Sequence, residues 1–264
     1  MRRMIGSLLP QSLKRALRPA RPDPIQARRL ALSRELHERF GGVVAHGPFK
    51  GLELAPQAHW GSGVYSHQLL GIYEKEVLDS LRDTPAAHDT FVEIGAQDGY
   101  YAIGAVRADM FKNAHCFEIL EAGRQLIADN ARRNGMTDRL HIHGEADASL
   151  ADTLAGQGVN LSRSVILCDI EGAEFDIFTP AMFAAMQGAV ILIELHPFAV
   201  VDGLAKVRAL KEAAAAHFTI TQLTTGARDL SGFSELDSYS DTDRWLLCSE
   251  GRPERMHWLR LDPR

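Results

Sequence analysis

The sequence predicts an α/β protein with a Rossmann-like, doubly wound and mostly parallel seven-stranded sheet. Three observations carry this prediction. Short apolar runs alternate with helical patterns from residue 89 onward, two of the runs (SVILCD and AVILIEL) are apolar almost throughout, and the first run ends in a glycine turn. Nearly continuous apolar strands are typical of parallel sheets covered on both faces. Repeated strand–helix order gives right-handed crossovers and places ligands at the carboxyl ends of the strands.

The predicted elements follow one another at short intervals. Strands are expected at residues 90–94, 114–119, 139–143, 164–169, 189–195, 219–223 and 245–248, and helices at 100–111, 122–134 and 204–218. Residues 25–40 and 69–82 also show helical periodicity, and residues 43–54 contain the turn signals of a short hairpin.

These patterns divide the chain into four parts. They are a basic tail and helix at residues 1–40, an N-terminal extension at 41–88, the α/β domain at 89–250 and a C-terminal tail at 251–264. No internal repeat accompanies them, so the sheet is expected to form from one continuous domain.

Charge and cysteine content limit the possible partners. Residues 1–40 carry ten Lys and Arg against three Asp and Glu, so the remainder carries 19 basic and 31 acidic side chains, which argues against nucleic acid. The basic tail, residues 1–24, is expected to be solvated or, alternatively, to touch an anionic membrane. No run approaches the roughly 20 apolar residues of a membrane-spanning helix. Cys116, Cys168 and Cys248 lie in apolar runs, which predicts buried, reduced thiols in a cytoplasmic protein.

A glycine-containing turn follows the first predicted strand, with the sequence EIGAQDG. Gly95 and Gly99 allow a tight turn and a close approach of a ligand, toward which the next helix points its free N–H groups. Ala96 and Gln97 break the dinucleotide fingerprint. The carboxylate of Glu93 suits the cationic amino-acid end of S-adenosylmethionine better than a pyrophosphate. We therefore expect Glu93, Gly95 and Gly99 to bind this methyl donor, and a turn without a ligand is the structural alternative.

Acidic residues after the second and third strands could bind the rest of the donor. Glu118 lies 19 residues after Gly99, where a carboxylate normally accepts hydrogen bonds from ribose hydroxyls, and Glu121 is the alternative. Asp147 is expected to accept a hydrogen bond from the adenine amine. It could instead cap the helix that begins near Ser149.

The fourth and fifth strands end in titratable side chains. Asp169, Glu171 and Glu174 lie within six residues, and His196 follows the fifth strand. Carboxylates this close repel unless a cation, hydrogen bonds or a helix N-terminus compensates them. His196 is expected to be the general base, with Glu171 and Asp169 as alternatives. Asp169 could also hold the amino group of the donor. Mg²⁺ could bind the same side chains, although nothing in the pattern requires a metal.

Four segments together resemble the FkbM family of class I methyltransferases. They are FVEIGAQDGYYAIG, LIADNARRNG, DIEGAEFDIF and IELHP, preceded by the lead-in GIYEKEVL. The resemblance covers roughly residues 69–250. It implies a Rossmann-like fold, S-adenosylmethionine as the methyl donor and, commonly, O-methylation of sugars or polyketides. The chain departs from many members at Gln97 and Asp98, where an uncharged pair is usual.

The sequence therefore predicts an S-adenosylmethionine-dependent methyltransferase acting on a sugar, glycan or other hydroxylated small molecule. Two alternatives remain. A nicotinamide-dependent oxidoreductase would share the fold, but the broken dinucleotide fingerprint counts against it. A non-catalytic binding module would also share it, because a fold alone does not determine a function.

Overall fold

The computed structural model describes residues 23–56, 65–252 and 255–264. Residues 1–22, which contain almost all of the basic tail predicted to be solvated or in contact with a membrane, lie outside the described residues. In the described ranges, none of the helices combines the length and the apolar character required to span a lipid bilayer.

One seven-stranded sheet forms the centre of the structure. Its strands are β1 (Thr90–Ile94), β2 (Asn113–Phe117), β3 (Leu140–His143), β4 (Ser164–Cys168), β5 (Val190–Glu194), β6 (Phe218–Thr224) and β7 (His257–Pro263). They are ordered β3-β2-β1-β4-β5-β7-β6, with β1 to β5 parallel and β7 antiparallel to both of its neighbours. The predicted fold class is thus confirmed. The strand order reverses between β1 and β4, where such sheets bind ligands.

Helices cover both faces of the sheet. The described residues form α1 (Pro24–Phe40), α2 (Tyr65–Leu70), α3 (Lys75–Arg82), α4 (Tyr100–Arg107), α5 (Glu121–Arg133), α6 (Leu150–Gly156), α7 (Glu174–Ile177), α8 (Pro180–Ala185), α9 (Gly203–Ala215) and α10 (Asp241–Cys248). Successive residues of β1 alternate between two hydrophobic clusters, Phe91 in one and Val92 in the other. The central strands are therefore buried on both faces, as their apolar runs predict. The three cysteines are buried and free.

The C-terminal part of the chain differs from the prediction. Residues 245–248, predicted as a strand, form the end of α10, because Ser240 caps this helix and acidic residues occupy its first turn. The last strand is β7, within residues 251–264 that the sequence predicts as a tail. Its sequence HWLRLDP buries Trp258, Leu259 and Leu261 against the neighbouring strands.

The N-terminal extension is also more broken than predicted. Residues 69–82 do not form one helix, because α2 ends at Leu70 and α3 begins only after Gly71 and Glu74 adopt positive φ angles of 68° and 43°. A Cβ on Gly71 would lie 2.1 Å from the backbone oxygen of His46, so the chain must turn there without a side chain. The predicted hairpin at 43–54 is reduced to a single antiparallel bridge between Val43 and Glu53.

The first helices pack on the segment that joins β6 to β7. A third hydrophobic cluster combines Leu32 and Leu36 of α1, residues of α2, and Leu236 and Leu247 from the β6–β7 segment. The N-terminal extension and the β6–β7 segment therefore stabilise each other above the carboxyl ends of the strands.

Three histidines stack on one face of β2 and β3. The ring of His115 lies 4.5 Å from that of His141 and 5.4 Å from that of His143, with its Nδ1 3.1 Å from Nε2 of His143. They line an open groove of 740 Å³ that contains none of the motif residues. Burial, followed by the neighbouring imidazoles, lowers the pKa of His115 to about 4. The groove lies against β2 and the edge strand β3, and it is larger than the two cavities that the motif residues line.

We predict that this stack makes the fold sensitive to acid. The unfolded state, in which histidine has a pKa of about 6.5, binds a proton more readily than the folded state, so stability is lost as pH falls from about 6.5 to 4. His115→Gln should remove about 2–3 kcal/mol of the loss in unfolding free energy over this range. Urea unfolding of the wild type and the variant at pH 7.5 and pH 4.5 measures this loss in unfolding free energy. The same change at His217, beside the opposite edge of the sheet, should leave the loss intact, and an equal effect at both positions would contradict the prediction.

Gly95 controls how closely the loop after β1 approaches the loop after β4. Its φ is 86°, and a Cβ would lie 1.9 Å from the backbone oxygen of Asp169. The glycine is therefore required for the packing of the two loops, a reason in addition to the tight turn and the close approach of a ligand that the sequence suggested.

We predict that Gly95→Ala lowers the unfolding free energy by more than the 1–3 kcal/mol or so that a strained φ alone costs. Gly135→Ala is the matched control, because Gly135 has a φ of 67° and a Cβ added there would have no atom within 4 Å. Urea denaturation of both variants gives the comparison. Equal losses would show that the two loops are not in steric contact.

Candidate active site at the carboxyl ends of the strands

The loop after β1 is fixed by backbone hydrogen bonds. The N–H groups of Gly95 and Ala96 both donate to the oxygen of Phe117, at 2.9 and 3.0 Å. Gly99, with a φ of 79°, forms the N-cap of α4. The loop therefore passes over the end of β2 and leaves its outer side open to a cavity.

Glu118 holds this loop from the end of β2. Its carboxylate accepts hydrogen bonds from the N–H groups of Gln97, at 3.0 Å, and Leu120, at 2.8 Å, and the residue is 3% exposed. Glu121, the alternative from the sequence, projects into solvent and pairs with Arg124. The structure therefore brings Glu118, and not Glu121, to the cavity.

Two adjoining cavities lie along the carboxyl ends of β1, β2 and β4. The main cavity, of 240 Å³, is lined by Ile94, Gly95, Gln97, Phe117, Glu118, Ile119, Glu145, Ala146, Asp169, Ile170, Glu171 and Ala173. The small cavity, of 20 Å³, is lined by Gln68, Tyr73, Glu93, Gly95, Ala96, Gln97, Asp98, Tyr100, Tyr101, Leu167, Asp169 and Trp258. Gly95, Gln97 and Asp169 line both, so the two cavities adjoin, and we refer to them together as the elongated cleft.

Glu93 lines the small cavity and is almost completely buried. One of its carboxylate oxygens accepts a hydrogen bond from the N–H of Ala102 in the first turn of α4, at 2.9 Å. Burial, and then the charges of Asp98, Asp169 and Glu118, raise its pKa well above the ordinary value. A cation in the small cavity would lower the cost of ionising this carboxyl group.

Asp147 is not among the residues that line either cavity. Its carboxylate accepts hydrogen bonds from the N–H and the hydroxyl of Ser149, at 2.7 and 2.6 Å, so it closes a turn just before α6, whose N-cap residue is Ser149 and not Asp147. Glu145, two residues earlier, lines the main cavity instead. The GEAD loop thus reaches the cleft through a different carboxylate, which no sequence pattern distinguishes.

The imidazole of His196 lies among four carboxylates. Its Nε2 is 3.5 Å from Asp169, 3.5 Å from Glu194 and 3.8 Å from Glu171, and its Nδ1 is 3.4 Å from Glu174. We call these four acidic residues the carboxylate cluster. Burial alone would lower the pKa of His196, but Glu174, Glu194 and Asp169 outweigh it and raise this pKa to about 10.

This environment alters the role expected for His196. With a pKa of about 10 the imidazole is already protonated at neutral pH and cannot accept a second proton. Burial and the charge of Glu194 raise the pKa of Asp169 well above its ordinary value, whereas the His196 cation opposes that rise. A carboxylate with a raised pKa is a stronger base than an ordinary carboxylate. Asp169, one of the two alternatives, also lines both cavities, whereas His196 lines neither.

Two further charged residues, which the sequence did not single out, complete the cluster. Arg252, which follows α10, donates to Glu194 at 2.6 Å and also pairs with Glu74. Glu74 additionally accepts a hydrogen bond from Tyr101 at 2.7 Å. Burial raises the pKa of Glu74 to about 7, which Arg252 opposes and Asp169 reinforces. Glu74 lies in the lead-in segment GIYEKEVL, but nothing in the sequence signals Arg252.

The described residues offer two groups of potential metal-ligating atoms within 4.8 Å of one another. They are Asp169, Glu171 and His196, and Glu74, Asp169 and Glu194. The guanidinium of Arg252 and the protonated imidazole already supply positive charge to these carboxylates. We therefore assign no metal ligand to this site.

Comparison with known proteins adds only distant structural likeness. No family model and no curated protein matches the chain. Its structure is similar to that of an O-methyltransferase from Streptomyces achromogenes involved in tomaymycin synthesis, in complex with SAM, with 15% identity over 96% of this chain and 95% of that chain and a TM-score of 0.49. It is also similar to an O-methyltransferase from Bacillus cereus in complex with SAH, with 14% identity over 96% of each chain and a TM-score of 0.47. Identities and TM-scores of this size assign neither a family nor an activity.

Proposed function

We propose that the chain is an S-adenosylmethionine-dependent methyltransferase that methylates a hydroxyl group of a sugar, glycan or other small molecule. The observation that carries the proposal is the elongated cleft, which has a ribose-type carboxylate at one end and buried carboxylates at the other. The FkbM assignment rests on the sequence motifs alone.

The cleft fits the two halves of the donor. In the main cavity, Glu118 would accept hydrogen bonds from the ribose hydroxyls, and its oxygens have lone pairs left after accepting two backbone N–H groups. Ile119, which is 59% exposed, offers an apolar surface to the adenine, and Glu145 offers an acceptor to its amine. In the small cavity, Glu93 and Asp98 would face the cationic amino-acid end.

The charge of the site also favours a cationic ligand. Glu74, Asp169, Glu171, Glu174 and Glu194 are opposed at close range by only His196 and Arg252 among the described residues. A ligand that brings positive charge would relieve the repulsion among these carboxyl groups, which together with burial raises the pKa values of Glu74, Asp169 and Glu194. The donor, when bound, supplies a methyl group activated by a sulfonium, so the protein mainly has to position the acceptor and remove its proton.

We infer that Asp169 accepts the acceptor proton and that His196 holds this carboxylate ready. Asp169 lines both cavities and lies 3.5 Å from Nε2 of His196. Glu171 is more exposed and lies at the rim of the main cavity, which makes it the second candidate. Phe198, 57% exposed with its ring 5.7 Å from that of His196, would offer an apolar surface to a sugar ring.

A nicotinamide-dependent oxidoreductase fits the structure less well. Its usual sheet has the order 3-2-1-4-5-6, whereas here an antiparallel β7 separates β5 from β6. Gln97, which lines both cavities, also stands at the position where the dinucleotide fingerprint has its second glycine. A non-catalytic binding module would retain the cleft and would bind the donor without turnover.

We predict that the protein binds S-adenosylmethionine and S-adenosylhomocysteine in calorimetry and does not bind NAD. Glu118→Ala should weaken donor binding by about 10- to 100-fold, because the ribose hydroxyls lose a charged acceptor. Glu121→Ala, which changes an exposed carboxylate three residues away, should bind as the wild type does. Tight binding of NAD, or equal losses in the two variants, would reject this assignment of the cleft.

We predict that turnover, followed as S-adenosylhomocysteine formed with a panel of sugars, glycans and small alcohols, rises with pH through the pKa of Asp169. Asp169→Asn should lower the turnover number by about 10²–10⁴-fold and abolish that limb. His196→Gln should move the limb to higher pH, because the cation that lowers the pKa of Asp169 is lost. Loss of the limb in His196→Gln with its retention in Asp169→Asn would instead make His196 the base, and loss in Glu171→Gln alone would indicate Glu171.

A further inference from the structure

Glu174 joins the loop after β4 to the loop after β5. It is 0% exposed, and its two carboxylate oxygens accept hydrogen bonds from different loops, one from the N–H of Gly172 at 2.7 Å and one from the N–H of His196 at 2.8 Å. The two loops are also in direct contact, since a Cβ on Gly172 would lie 2.9 Å from the side chain of Val200. One buried carboxylate therefore fixes the backbone of His196 relative to the carboxylate cluster.

The same carboxylate is the nearest acceptor for the ring of His196. Nδ1 is buried and makes no hydrogen bond with the described residues, and it lies 3.4 Å from the Glu174 oxygen that accepts from the His196 N–H. The opposite ring atom, Nε2, is directed toward Asp169 and Glu194. Glu174 thus lies on the Nδ1 side of the ring, whereas Asp169 and Glu194 lie on the Nε2 side.

We propose that Glu174 is a positioning residue that orients the His196 imidazole through Nδ1, so that Nε2 presents its proton to Asp169. The proposal rests on the proposed function for its meaning in catalysis, but the orientation itself can be measured on the protein without a donor. A carboxylate that orients a histidine through one nitrogen while the other nitrogen acts is a recurrent arrangement in enzymes.

A purely structural role is the competing explanation. Glu174 begins α7 and accepts the N–H of Gly172 two residues earlier, so its removal would loosen the loop whatever His196 does. Loss of stability alone therefore does not distinguish the two roles. The state of the His196 ring does, because a structural role predicts no change in which ring nitrogens carry protons.

The test is ¹⁵N NMR of ring-labelled histidine in the full-length protein at pH 8, with the His196 signals identified by their absence from His196→Gln. In the wild type both ring nitrogens should be protonated. Glu174→Gln keeps the size of the side chain, but its amide has one acceptor oxygen for the N–H groups of Gly172 and His196, each of which needs an acceptor. In this variant the ring of His196 should become neutral at pH 8. Its turnover number should fall at least tenfold, while donor affinity stays within twofold of the wild type.

Glu76→Gln is the matched control. Glu76 also accepts a backbone N–H, that of Gly226 at 2.8 Å, and pairs with Arg228, but does not contact His196. It should lower the melting temperature and leave the His196 signals unchanged. Unchanged His196 signals in a folded Glu174→Gln, or an unprotonated Nδ1 in the wild type, would overturn the proposal. If Glu174→Gln does not fold, the wild-type spectrum decides alone. Absence of methyl transfer with the expected spectra would reject the proposed function and leave the positioning role standing.

Discussion

The site depends on the compensation of negative charge at one edge of the sheet. Asp169 and Glu194 end neighbouring parallel strands, so the topology places two carboxylates side by side where burial makes each of them costly. The imidazole of His196 and the guanidinium of Arg252 lie against them. If either cation moved away, a buried carboxylate would be left without a partner of opposite charge. The conformation of the surrounding loops is therefore tied to the ionisation of this group of side chains.

These charges connect parts of the chain that are distant in sequence. Arg252 comes from the segment between β6 and β7, and its partner Glu74 comes from the extension before β1. The third hydrophobic cluster joins the same two parts through α1, α2 and α10. Apolar packing thus holds the N-terminal extension over the sheet, and ion pairs set the position of its polar residues relative to the cleft. The extension is a wall of the site and not an appendage to it.

The sequence is informative where burial and backbone conformation determine the residue type. Apolar runs located β1, β4 and β5 to within a residue or so because strands buried on both faces admit little else. It is less informative where several polar residues lie within a few positions. Glu145 and Asp147 stand in the same loop, and only the direction of the backbone separates the one that lines the cavity from the one that caps a turn.

Three features near the C-terminal end of the described chain were not predicted, each for a different reason. The run containing Trp245 to Cys248 is as apolar as a strand, but a capped acidic first turn makes it a helix. The strand β7 was predicted as a tail, although its alternation of apolar and charged residues over 259–262 is itself typical of a half-buried strand. Arg252 could not be foreseen at all, since its meaning comes from contacts with residues 58 and 178 positions away. Tertiary contacts of this kind leave no periodic trace in a single sequence.

The placement of β7 has a consequence for the order in which the protein is assembled. Because β7 lies between β5 and β6, the edges of these two strands that pair with β7 have no hydrogen-bonding partner until residues 257–263 are available. During synthesis the first five strands can associate as they emerge. β6 cannot join the sheet until β7, the strand with which it pairs, has been synthesised after it. Such open edges are the surfaces through which nascent chains pair wrongly with one another. The half of the sheet that contains β5, and with it the fifth-strand side of the cleft, therefore keeps unpaired strand edges for the longest time during synthesis.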